Sequence, residues 1–154
     1  MAQIEKILFA MELSEISDQI VEWVNLMVQR FDAEIHVQHV VPELRGIGVP
    51  YAVAPANLDD QGKLIEKAEK ELSKFCNRCL DNDFTPQIQV SVGHPAEEII
   101  KYIHSAGISM VVIGTHGRGG LDRSIFGSVA DRVLRFSPVP VLCINPHPKE
   151  IESE

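Results

Sequence analysis

Residues 114–128 read GTHGRGGLDRSIFGS: five glycines, two arginines and a histidine between an apolar run, SMVVI, and a helical pattern, VADRVLRF. Glycine at this density gives up side-chain contacts and leaves backbone that is costly to order. A ligand that approaches the main chain closely would justify the cost, and phosphate is such a ligand. A helix start presents unpaired N–H groups and a partial positive charge, so Gly127, Ser128 and Val129 are candidates to hold phosphate oxygens. Gly114 and Gly117 would let the backbone turn tightly beneath the same group. Arg118, Arg123, Arg132 and Arg135 against Asp122 and Asp131 give this region a local +2 in a chain of net charge −8. The acidic surface as a whole repels nucleic acid and anionic lipid, so a polyanion binds only where the charge is locally reversed.

Two familiar phosphate motifs fail here. A Walker A loop fits Gly114 and Gly119, but Gly120 and Leu121 stand where Lys and Ser/Thr are required. A G-x-G-x-x-G turn fits Gly117 and Gly119 but meets Asp122 in place of the third glycine. What fits is G-x-x-G, nine residues, then G-[ST]: Gly114, Gly117, and Gly127-Ser128.

The elements that must position this stretch alternate along the chain. Short apolar runs at KILFAM (6–11), EIHVQHVV (34–41), PQIQVSVG (86–93), SMVVIG (109–114) and VPVLCI (139–144) predict strands. Apolar residues at helical spacing from Ile16 to Phe31 predict a helix capped by Ser14 or Ser17. A second helical face runs through Leu64, Ile65, Ala68, Leu72, Phe75, Cys76 and Cys79. A third helix is bracketed by Pro95 and Gly107, and a last one ends before Pro138. A proline- and glycine-punctuated loop follows the second strand and is long enough for a flap. The alternation argues a parallel α/β sandwich in one domain, residues 1–146, with a polar tail at 147–154.

At 154 residues, 45% hydrophobic and 23% charged, the chain has the composition of a globular domain. It contains no apolar run near the roughly 20 residues of a membrane span, and the N-terminus reads as a strand and not a signal peptide. Three cysteines make no disulfide framework, so a reducing cytoplasm is the expected compartment. Cys76 and Cys79 read as inert core residues in the middle of a helix. His36 and His39 fall on opposite faces of a strand and cannot share a metal.

Taken together, KILFAMELSE, HVVPE, VGHPAEEII and VVIGTHGRGGLDRSIFGSVADRVLRFSPVPVL resemble the universal stress protein family in its ATP-binding branch. The resemblance implies an adenine nucleotide alpha hydrolase-like fold: an open parallel five-stranded sheet, order 3-2-1-4-5, with helices on both faces. It implies ATP accompanied by Mg²⁺, with Glu12 toward the nucleoside where Asp is usual, and Ala10 and Val40 around adenine and ribose. Ile113, Gly114, His116, Gly117, Arg118 and Gly119 match the first phosphate turn; Gly127, Ser128 and Val129 match the second. Ser109 stands where an acid commonly precedes the fourth strand. The implied function is a nucleotide-dependent stress-response or regulatory module with slow or no hydrolysis. An ATPase or nucleotidyl transferase on the same scaffold, and a nucleotide-free structural dimer, are the alternatives. The apolar edge at 139–144 and the resemblance both point to a homodimer.

Overall fold

Ile7, Leu8 and Phe9 are wholly inaccessible to solvent, which a strand achieves only when both faces of its sheet are covered. The structure, a computed structural model, describes residues 1–13, 16–43, 58–116 and 126–148. Ser14, Gly117, Arg118, Gly119, Arg123, most of the loop after the second strand and the end of the tail lie outside the described residues. Within them, the chain runs β1 (Lys6–Ala10), α1 (Ile16–Phe31), β2 (Glu34–Val41), α2 (Leu58–Cys79), β3 (Gln87–Val92), α3 (Pro95–Ala106), β4 (Met110–Gly114), α4 (Ser128–Phe136) and β5 (Val141–Ile144). The strands form one sheet in the order β3-β2-β1-β4-β5, and every pairing is parallel. That is the class expected from the alternation of elements and the order implied by the family resemblance.

Alternation along β1 sends successive side chains to opposite faces. Ile7 and Phe9 join Val24 and Val28 of α1 and Leu72 and Phe75 of α2 in one core. Leu8 and Ala10 join Ile99 and Ile103 of α3 and Ala130 and Val133 of α4 in the other. Each large apolar side chain so buried contributes roughly 1.5–3 kcal/mol. Pro95 opens α3, and Gly107 closes it in the left-handed conformation (φ 67°), its N–H donating to the Ile103 carbonyl. β5 starts at Val141, two residues later than expected. Ser137 and Val139 close a local turn on each other, and Pro140, with no N–H, offers the sheet only its carbonyl, to Val111 N–H at 2.9 Å.

His36 and His39 do project to opposite faces. His36 is buried against α3, with Nε2 2.9 Å from Glu34 Oε1 and Nδ1 2.8 Å from the Tyr102 hydroxyl. A carboxylate can only accept, so the neutral ring carries its proton on Nε2 and Tyr102 donates to Nδ1. His39 instead reaches the Met11 carbonyl at 3.1 Å. Ser17 is not a cap: it lies inside α1, and its hydroxyl donates to the Glu12 carbonyl.

The two cysteines of α2 differ from each other. Cys76 is 4% exposed, inside the core shared with Phe75 and Leu72. Cys79 is not in mid-helix but ends α2, half-buried, with polar neighbours. Burial, reinforced by the neighbouring Cys79, pushes the Cys76 thiol up to about 11 from its ordinary 9.0. Since only the thiolate reacts, this leaves about 100-fold less of it at neutral pH. In a Cys79→Ser, Cys143→Ser background, Cys76 is expected to react with an aromatic disulfide reagent about 100-fold more slowly in the folded chain than in urea. Comparable rates would show that the thiol is not held in the core.

Candidate functional site

A parallel sheet gathers all strand carboxyl ends on one rim. From β1 the chain moves outward through β2 to β3, then crosses back to β4 on the other flank of β1. Strand order therefore reverses between β1 and β4, the position at which such sheets open a crevice for ligands. Ala10 and Ile113, the partners at this junction, are both buried. Glu12 and Gly114 leave the two strands on the same rim. Val40 lies near the end of β2, two residues past Gln38, the partner of Ala10. The candidates from the three strand ends are thus brought to one side of the sheet.

The start of α4 is drawn to the same rim through one peptide. Thr115 N–H donates to the Ile144 carbonyl at the end of β5 (2.9 Å), and its carbonyl accepts from Gly127 N–H at 2.7 Å. A Cβ on Gly127 would stand 2.9 Å from that carbonyl oxygen, closer than side chains tolerate. Gly127 is therefore bare because the end of β4 occupies the place of its side chain, and its N–H is committed to Thr115. Gly114 is bare for a softer reason. Its Cβ would press on Cδ1 of Ile20, at 2.6 Å, the tip of a side chain, while the carbonyl oxygens of His116 and Ile144 lie at ordinary contact distances of 3.4 and 4.0 Å.

Gly127 caps α4 in extended conformation and supplies no side-chain acceptor. Its carbonyl takes the first helical bond, from Asp131 N–H at 2.9 Å. The N–H groups of Ser128, Val129 and Ala130 precede that bond and have no partner within the helix. Ser128 is exposed and Val129 half-buried. Beside them, His116 places Nδ1 2.8 Å from Thr115 Oγ1, while its buried Nε2 has no hydrogen-bond partner among the described residues.

The electrostatics differ from the sequence expectation. Arg132 pairs with Glu97 at 3.6 Å and Arg135 with Asp131 at 3.1 Å, so neither is a spare positive charge. Any local reversal of charge rests on Arg118 and Arg123, outside the described residues. Among the described residues no three His, Cys, Asp or Glu side chains gather closely enough to hold a metal ion. Sequence reasoning missed Thr115 and Ile144, whose contributions are backbone carbonyls. One signal was available: glycine at a helix start, where Ser, Thr, Asp or Asn usually caps, marks a close approach at Cα.

A doubly wound parallel sheet with a bare helix start at its switch point defines the class of domain. The family described as universal stress protein family matches residues 3–145, and the chain belongs to it. Universal stress protein A homolog 2 of Coxiella burnetii is 30% identical over 141 residues, covering 91% of this chain and 94% of that protein. Universal stress protein MJ0577 of Methanocaldococcus jannaschii is 26% identical over 152 residues, covering 91% and 94%. A solved structure of the MJ0577 protein has a TM-score of 0.81 at 24% identity, covering 96% of this chain and 100% of its own. A universal stress protein from Archaeoglobus fulgidus, solved in complex with dAMP, has a TM-score of 0.57 at 16% identity, covering 94% and 100%.

The two glycines should respond differently to one methyl group. Gly127→Ala presses on backbone that is bonded on both sides and is expected to cost about 1–3 kcal/mol in urea unfolding. Gly114→Ala displaces only the tip of Ile20 and should cost less. The reverse order would overturn the reading of Gly127 as a packing glycine. A Gly127→Val change should accordingly impair stability as well as any binding.

Proposed function

We propose that this chain is a nucleotide-dependent regulatory module that binds ATP at the rim between β1 and β4 and hydrolyses it slowly or not at all. The observation that carries this reading is the start of α4, without a side-chain cap among the described residues and anchored beside the end of β4 by the Gly127–Thr115 hydrogen bond. Three N–H groups at a helix start are a ready site for phosphate oxygens. The Ser128 hydroxyl and the Nε2 of His116, unpartnered among the described residues, add donors at the same place, and Gly117, Arg118 and Gly119 would complete the turn. Ala10 and Val40 line the base and ribose side, with the Glu12 carboxylate proposed for a ribose hydroxyl. Mg²⁺ would accompany the nucleotide through its phosphates and water. The relative of the same fold solved with dAMP supports an adenine nucleotide as the ligand class.

Calorimetry on nucleotide-stripped protein tests the proposal. ATP should bind, and Ser128→Ala should weaken it by about 1–3 kcal/mol, the loss of one hydrogen bond to a charged group. Glu12→Gln should weaken it further if the carboxylate holds the ribose. No heat at millimolar ATP would defeat the reading.

We further propose a homodimer through β5, which is an edge strand with half-buried residues. Its prolines lie before Val141, so Val141–Ile144 retain their N–H groups for pairing. Light scattering should give twice the chain mass, and Val141→Lys should reduce it to the monomer. A wild-type monomer at micromolar concentration would refute this.

A further inference from the structure

The end of α2 carries a thiol placed for reaction, outside the proposed nucleotide site. Cys79 is half-buried, and its sulfur meets two charged groups. Arg78 Nε donates to Sγ at 3.3 Å, and Sγ lies 3.6 Å from Asp18 Oδ1 on α1. The guanidinium is held in this position. Its Nη2 donates to the same Asp18 oxygen at 3.0 Å, and its carbon sits 5.8 Å from the centre of the Phe75 ring. Asn25 of α1 donates to the Cys79 carbonyl at 3.1 Å, which fixes the backbone beneath the sulfur. The Arg78 charge is itself paired with Asp18, so the sulfur faces an ion pair; what marks it is partial exposure at the end of a helix with a second thiol three residues away. Three residues earlier, Cys76 lies one helical turn away with its thiol in the core.

We propose that Cys79 is a site of reversible oxidation by hydroperoxides, with Cys76 as the resolving thiol. The Cys79 sulfur takes the terminal oxygen of the peroxide as the O–O bond breaks. This gives a sulfenic acid, and the thiol proton leaves with water or alcohol. The Cys76 sulfur then attacks that sulfur, the S–O bond breaks, and its proton departs with the hydroxide as water. The dithiol is oxidised by two electrons and the peroxide is reduced. Side chains three apart on a helix stand about 5–6 Å apart at Cβ, whereas a disulfide brings Cβ atoms to about 3.5–4.5 Å. The last turn of α2, which ends at Cys79, must therefore tighten locally and draw the Cys76 thiol out of the core that suppresses its thiolate, so this second step is slower than the first.

The test is peptide-resolved mass spectrometry of the reduced full-length protein treated with hydrogen peroxide and dimedone. In Cys76→Ala the dimedone adduct is expected on Cys79. In Cys79→Ser, Cys76 should be labelled at least about tenfold more slowly. The wild type should end with Cys76 and Cys79 joined, two hydrogens lighter. Arg78→Gln should slow Cys79 labelling several-fold and Asp18→Asn should speed it, both without loss of helical signal. Should Cys76→Ala fail to fold, short exposures of the wild type to both reagents give the same readout. Cys79 as slow as Cys76, labelling that starts on Cys76, or rates indifferent to Arg78 and Asp18 would overturn the proposal.

Discussion

The backbone of Thr115 is bonded on both sides, to the end of β5 through its N–H and to the start of α4 through its carbonyl. This double attachment joins three elements that hydrophobic packing alone would leave free to slide. Ala130 and Val133 bury α4 against the sheet, but apolar contacts are non-directional and tolerate small shifts along the helix axis. A short hydrogen bond to Gly127 does not. It requires that no side chain intervene, so one glycine sets how near the helix start comes to the strand end. The candidate phosphate donors of Ser128 and Val129 inherit their position from that contact.

The same logic explains the contrast between the two cores. The face under α1 and α2 is apolar through the middle of β1 and β2, with Ile7, Phe9, Ile35 and Val37, and turns polar at His39 near the end of β2. The face under α3 carries His36 and Gln38 on β2, both buried. Gln38 donates to Ser91 Oγ and the Glu98 carbonyl, at 3.0 and 3.3 Å. Buried polar groups must find partners or lose stability, so each adds a directional requirement to a packing surface.

Much of the architecture was legible because it depends on periodicity. Apolar runs and helical spacing marked every strand and helix, and Pro95 and Gly107 bracketed α3 as their backbone preferences demand. The glycine motif pointed to the rim where β4 ends and α4 begins. Features that depend on which atoms meet in space were not legible. The pairing of Arg132 with Glu97 requires α3 and α4 to be neighbours, which no local pattern states. The end of α2 at Cys79 carries neither glycine nor proline, and the residue that holds its carbonyl, Asn25, lies on another helix. Backbone carbonyls such as those of Thr115 and Ile144 leave no trace in residue type. The mark that the Thr115 contact does leave is a missing side chain at Gly127.

The buried polar row on β2 has a consequence for α3. A helix resting on leucines and valines can rotate or slip by a fraction of a turn at modest cost. Here Tyr102 must reach His36 Nδ1 while the Glu98 carbonyl stays over Gln38 Nε2, one turn of helix away. These two bonds act as a pair of dowels and permit a single axial and rotational setting. The chain leaves α3 through Gly107 and Ile108 directly into β4. The polar row thus sets the point at which the strand carrying the candidate site enters the sheet.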